Sequence, residues 1–130
     1  MPRMIFVNLP VADLPKSMEF WRALGFDFNL DYTDETAACL VLSETAFAML
    51  LTHDKFRGFA QRDPADTATH REALIALSLE SREEVDRIVE AAMANGGAAH
   101  GEAMDHGFMY YRPFTDPDGH VWELTYFPAA

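Results

Sequence analysis

The sequence predicts an α+β fold made of two tandem β-α-β-β-β modules. Three observations carry this reading. Each half opens on a strand of period two, an amphipathic helix follows each of those strands, and the second pair overlays the first at an offset of 68 residues. The chain has 130 residues, 49% of them hydrophobic, with 10 Phe and 4 Tyr. That is one domain, large enough to fill a core without metals or disulfides.

In the first half Ile5, Val7, Leu9 and Val11 alternate with other residues, which marks a half-buried strand. Asp13 then offers an N-cap, and Pro15 is tolerated in the first helical turn. Met18, Phe20, Trp21 and Leu24 form the apolar stripe of the helix, which Gly25 stops. Strands are predicted over residues 26–31, 37–42 and 46–52. In the second half Ile75, Leu77 and Leu79 alternate, and Ser81 with Glu84 forms a capping box. Val85, Ile88, Val89 and Ala92 make the next stripe, ended by Asn95, Gly96 and Gly97. Strands follow over 98–102, 108–114 and 120–127. The first module spans about 1–60, a polar connector about 53–72, and the second module about 73–130. The connector, with a short helical turn near 54–60, covers a sheet edge or serves as a lid.

Ten Lys and Arg stand against 21 Asp and Glu, a formal net charge of −11. This balance argues against nucleic acid or an anionic membrane as partner, since both select clustered cations. Cys39 is the single cysteine, so no disulfide forms within the chain, and it reads as a buried, inert thiol because no basic residue flanks it. The N-terminus lacks the apolar stretch of a signal peptide, and the longest strongly apolar run, 46–51, is far too short to span a bilayer. The expected location is the cytoplasm.

The most specific stretch runs from Phe114 to Leu124 and contains Asp116-Pro117-Asp118-Gly119-His120. Proline second and glycine fourth suit a type I turn, with Asp116 bonding back to the following amides and His120 exposed beside it. In the strand beyond, Trp122, Leu124 and Tyr126 share one face and pack on a helix. Val121, Glu123, Thr125 and Phe127 take the other.

A doubled β-α-β-β-β chain ending in Asp-Pro-Asp-Gly-His-x-Trp-Glu-Leu resembles the vicinal oxygen chelate superfamily of glyoxalase I, bleomycin-resistance proteins and extradiol dioxygenases. The stretches Phe6-Val7-Asn8-Leu9-Pro10-Val11 and Asp105-His106-Gly107-Phe108-Met109-Tyr110 are similar to its lactoylglutathione lyase-like branch. The resemblance implies a cup-shaped mixed β-sheet with helices on the outer face, and a homodimer. It also implies metal-ligand positions on the first and last strand of each module. Here these read Phe6, Met49, Leu74 and Glu123. One carboxylate among three apolar residues is not a divalent-metal site, so no metal or other cofactor is expected. Shifted ligands, His53 or His106, leave a divalent metal open.

By alternation, the cup is lined by Phe6, Asn8, Met49, Leu74 and Ser78, with Tyr110 and Arg112 as further ligand-binding candidates. Such lining suits a small apolar or aromatic molecule with one or two polar handles, or else a packed sheet interface. One of Tyr110 and Tyr111 faces the cup and the other the helix. Arg112 binds a ligand carboxylate or faces solvent. Glu123 is the catalytic candidate, a general acid or base, unless it is a sheet glutamate paired with Arg112. Three functions follow in order: a small-molecule binder without metal; a lyase, isomerase or dioxygenase acting through shifted ligands or Glu123; and an interaction module with a filled cup.

Overall fold

The computed structural model describes residues 2–128. It divides into two compact units, Met1–Pro64 and Ala65–Ala130. The first unit holds β1 (Ile5–Val11), α1 (Leu14–Ala23), β2 (Asp27–Asn29), β3 (Ala37–Val41), β4 (Ala46–Thr52) and α2 (His53–Ala60). Its sheet has the order β1-β4-β3-β2, with β1 parallel to β4 and the other pairs antiparallel. The second unit holds β5 (Leu74–Ser78), α3 (Arg82–Ala94), β6 (Ala98–Ala99), β7 (Met104–Asp105), β8 (Tyr110–Thr115) and β9 (Val121–Tyr126). Its sheet runs β5-β9-β8-β6, β7 also pairing with β8, and β5 lies parallel to β9. Each unit is thus a β-α-β-β-β motif, the second with one strand divided in two.

Local chemistry explains the helix starts. The Asp13 side chain accepts the Lys16 N–H at 3.1 Å, and the Ser81 hydroxyl accepts the Glu84 N–H at 3.0 Å. The return bond of the second cap differs from the expected box: the Glu84 carboxylate accepts from Glu80, one residue further back. Strand lengths also differ from expectation. Asn29 accepts the Asp31 N–H and draws residues 30–32 into a 3-10 turn, which shortens β2. Gly101, at φ +70°, interrupts the strand expected over 98–102 and separates β6 from β7.

On one face of each sheet lies the helix. Phe20 and Trp21 of α1 and its C-cap Leu24 are buried together with Leu40, Ala48 and Leu50 of the first sheet. Phe20 and Phe26 each meet the Trp21 ring edge to face, with centroids 5.4 Å apart. In the second unit Val85, Ile88 and Val89 of α3 are buried with Phe114, Trp122 and Leu124. α2, within the span read as connector, packs against β1 and β4. No helix among the described residues is long and apolar enough to cross a membrane.

The turn before β9 is held from both sides. Asp116, buried, accepts N–H bonds from Asp118, His120 and the Trp122 indole at 3.0–3.1 Å. Burial pushes its carboxyl up, while His120 and the Trp122 indole pull it back. From the connector, Thr67 donates to the Asp118 carbonyl at 2.6 Å and Arg71 to the Gly119 carbonyl at 2.7 Å. Glu72 pairs with the His120 imidazole. His120 is therefore not exposed, as the sequence suggested, but 2% accessible, because the connector folds a carboxylate over it.

Candidate functional site

The face of each sheet away from its helix carries a cavity. In the first unit it measures about 390 Å³. Phe6 and Phe47, neighbours in the β1–β4 register, stack with centroids 4.8 Å apart and planes 12° apart, and Met4 and Met49 continue this apolar wall. Asn29, Tyr32 and Cys39 complete the lining. Cys39 is 1% exposed, and burial pushes its thiol up, which keeps it protonated and unreactive.

The second-unit cavity, about 510 Å³, is lined by Ala76 and Ser78 of β5, Tyr111 of β8 and Glu123 and Thr125 of β9, with Met109 and Phe127 at strand ends. The Tyr111 hydroxyl donates to Glu123 Oε2 at 2.5 Å. Burial and this bond push the phenol up to about 12, so it remains a donor at neutral pH. Glu123 is half-buried and belongs to no ion pair among the described residues. Glu123 lines the cavity with its second oxygen outside the Tyr111 bond, available to a hydrogen bond from a bound molecule.

The strand phase corrects two candidates. Tyr110 and Arg112 lie on the α3 side of β8, not in the cavity. The Tyr110 hydroxyl donates to Asp86 at 2.6 Å, and Arg112 pairs with Asp86 at 2.9 Å and Glu90 at 3.0 Å. The Tyr110 bond, then Arg112, hold the Asp86 carboxyl below the usual carboxylate range. Arg112 therefore neither partners Glu123 nor meets a ligand there. Tyr111, one residue on, takes the pocket position, and only the parity of β8 distinguishes the two tyrosines.

Register gives the cross-strand neighbours of the two last-strand positions. Asn8, not Phe6, lies beside Met49, and Ala76, not Leu74, lies beside Glu123. Asn8 is exposed on the cavity-facing side of β1, and Leu74 is exposed on edge strand β5, outside the cavity lining. Phe6, Met49, Ser78 and Glu123 line their cavities as expected from alternation. His53 begins α2, and His106 stacks on Phe108 with centroids 5.8 Å apart.

The profile of the Glyoxalase/Bleomycin resistance protein/Dioxygenase superfamily matches residues 3–124. The chain belongs to this superfamily. Among solved structures, a hypothetical protein SA1046 from S. aureus is 28% identical, with TM-score 0.81 over 97% of this chain and 94% of that one. A glyoxalase/bleomycin resistance protein/dioxygenase family enzyme from Burkholderia phytofirmans PsJN is 17% identical, with TM-score 0.82 over 98% and 100%. The fosfomycin resistance protein FosX from Listeria monocytogenes is 20% identical, with TM-score 0.68 over 100% and 94%. The last two likenesses speak for the fold. No curated protein matches the sequence.

Glyoxalase-superfamily proteins often bind divalent metals, and the donor set here does not fit one. Such ions require three or more nitrogen, oxygen or thiolate ligands. Asn8 beside Met49 gives the first unit one oxygen donor at these positions, and Glu123 beside Ala76 gives the second unit one. Among the described residues no three His, Cys, Asp or Glu come together that could hold a metal ion.

Proposed function

We propose that the protein binds a small, largely apolar molecule bearing an aromatic ring in the first-unit cavity, without a divalent metal. The stacked Phe6–Phe47 pair on the wall of a cavity of about 390 Å³ carries this reading. Pockets of this size take small organic ligands. A ligand ring laid on that pair gains about 0.5–1.5 kcal/mol beyond the area it buries. The Met4 and Met49 thioethers favour a ring edge, and Asn29 and Tyr32 supply the polar handles.

The neutral probe 2-naphthol tests the reading. Saturable binding that shifts the NMR signals of Phe47 and Met49 is expected. Phe6 is 47% exposed, so Phe6→Ala should leave the fold intact and weaken binding about tenfold. No saturation, or undiminished affinity in F6A, would reject it. Protein purified without chelators is expected to carry no stoichiometric divalent metal, and finding one would overturn the metal-free part. The same reading includes a homodimer in the cytoplasm, supported by exposed Ile5 and Leu74 on edge strands β1 and β5. Sedimentation showing only monomer at micromolar concentration would reject the dimer.

A further inference from the structure

We propose that the second-unit cavity is a site for an organic cation, a protonated amine carried on a small apolar or aromatic body, recognised by the Glu123 carboxylate. This goes beyond the function above, since it concerns a separate cavity and a different ligand chemistry.

The argument starts from an unbalanced charge. Glu123 is the one charged side chain in the cavity lining, and among the described residues no ion pair neutralises it. Three cations of the second unit are committed elsewhere: Arg112 to Asp86 and Glu90, Arg82 to Asp105, and Arg71 to the Gly119 carbonyl. Tyr111 is a neutral donor to Oε2 and brings no positive charge. That bond orients the carboxylate and leaves Oε1 without a protein partner. A half-buried carboxylate of this kind is completed by a positively charged donor, because a charge-assisted hydrogen bond is about twice as strong as a neutral one.

The surroundings set the rest of the ligand. Met109 and Phe127 provide an apolar edge, Phe127 with a ring face that attracts a cation. Ala76, directly opposite Glu123 in the β5–β9 register, leaves room over the carboxylate. The net charge of −11 draws cations toward the protein and repels anions.

The test compares benzylamine, charged at neutral pH, with its neutral analogue benzyl alcohol by NMR titration at low salt. Benzylamine should bind at least tenfold more tightly and shift the signals of Tyr111, Glu123 and Thr125. Glu123→Gln should bring the two affinities within twofold of each other. Ala76→Lys, on an exposed edge strand, should do the same by placing an ammonium group over Glu123, and it decides the matter should E123Q fail to fold. Equal affinities in the wild type, a preference that survives either substitution, or shifts confined to other residues would overturn the proposal. Binding of 2-naphthol, measured in the same E123Q and A76K samples, reports on the first-unit cavity alone, so the two readings fail separately.

Discussion

Replacing Gly119 by alanine tests how firmly the connector is clamped to the turn that launches β9. Gly119 sits at φ +82°, a left-handed conformation that a side chain makes unfavourable by about 1–2 kcal/mol. A Cβ there would lie 2.4 Å from the Thr67 hydroxyl oxygen and 2.8 Å from the Thr67 Cβ. Thr67 must therefore withdraw, losing its 2.6 Å hydrogen bond to the Asp118 carbonyl, a loss of about 1 kcal/mol. Together the two effects amount to about 2–3 kcal/mol. The second belongs to Thr67 alone. In a Thr67→Gly background the same Gly119→Ala change should cost only the conformational part, so a double-mutant cycle should show about 1 kcal/mol of coupling. Urea unfolding followed by tryptophan fluorescence measures all four proteins, with Trp122 reporting from beside the turn. A G119A protein within about 0.5 kcal/mol of wild type, or an equal G119A cost in both backgrounds, would refute the reasoning.

Other substitutions separate the two faces of the second sheet. Arg112→Ala should reduce stability by about 1 kcal/mol through its partly exposed bonds to Asp86 and Glu90, while leaving benzylamine affinity unchanged. A loss of affinity would return Arg112 to the pocket face. Asp105 is held down to about 2, first by the Arg82 hydrogen bond and then by the Gly107 N–H. Because its folded value lies below its unfolded value, its contribution to stability is present above about pH 4 and disappears as the pH falls towards 2. Carbon NMR of the Asp105 carboxyl should give that low midpoint, and Arg82→Ala should return it to the ordinary carboxylate range. Cys39, buried and with its thiol pushed up, should resist a water-soluble disulfide reagent at pH 8 and react only on unfolding. Fast labelling of the folded protein would contradict its burial.

What the sequence disclosed was local, and what it concealed was pairing. Asp13, Ser81 and the stripes of α1 and α3 act over a few residues, and they stand where the spacing placed them except at Met18, which is half-buried while Ser17 takes the buried position. So does the alternation that sends Trp122 towards α3 and Glu123 away from it. Hydrogen-bond register is not written in one strand. The resemblance named Phe6 and Leu74 on the first strands, but only the parallel pairing shows that Asn8 and Ala76 are the residues beside Met49 and Glu123. At Tyr110 and Tyr111 two aromatic residues in succession hid the parity of β8. The acidic face of α3, with Asp86 and Glu90 four residues apart, was the available signal that Arg112 points there. The burial of His120 depends on Glu72, 48 residues away, and no local pattern announces such a partner.

Asp116 gathers its three N–H donors within six residues, the last of them in β9 itself, so these bonds fix the length of the turn. Strand parity then makes this short stretch intolerant of insertion or deletion. One residue gained or lost between Asp116 and Val121 would turn Trp122 into the cavity and drive Glu123 against the buried side chains of α3. Evolution is free to lengthen the exposed segment around Gly101, where an added residue shifts no parity in β8 or β9. The turn admits substitution but not a change of length. Relatives that share this carboxylate should therefore differ in loop size at the β6–β7 junction and keep the count of residues from Asp116 to Glu123 constant.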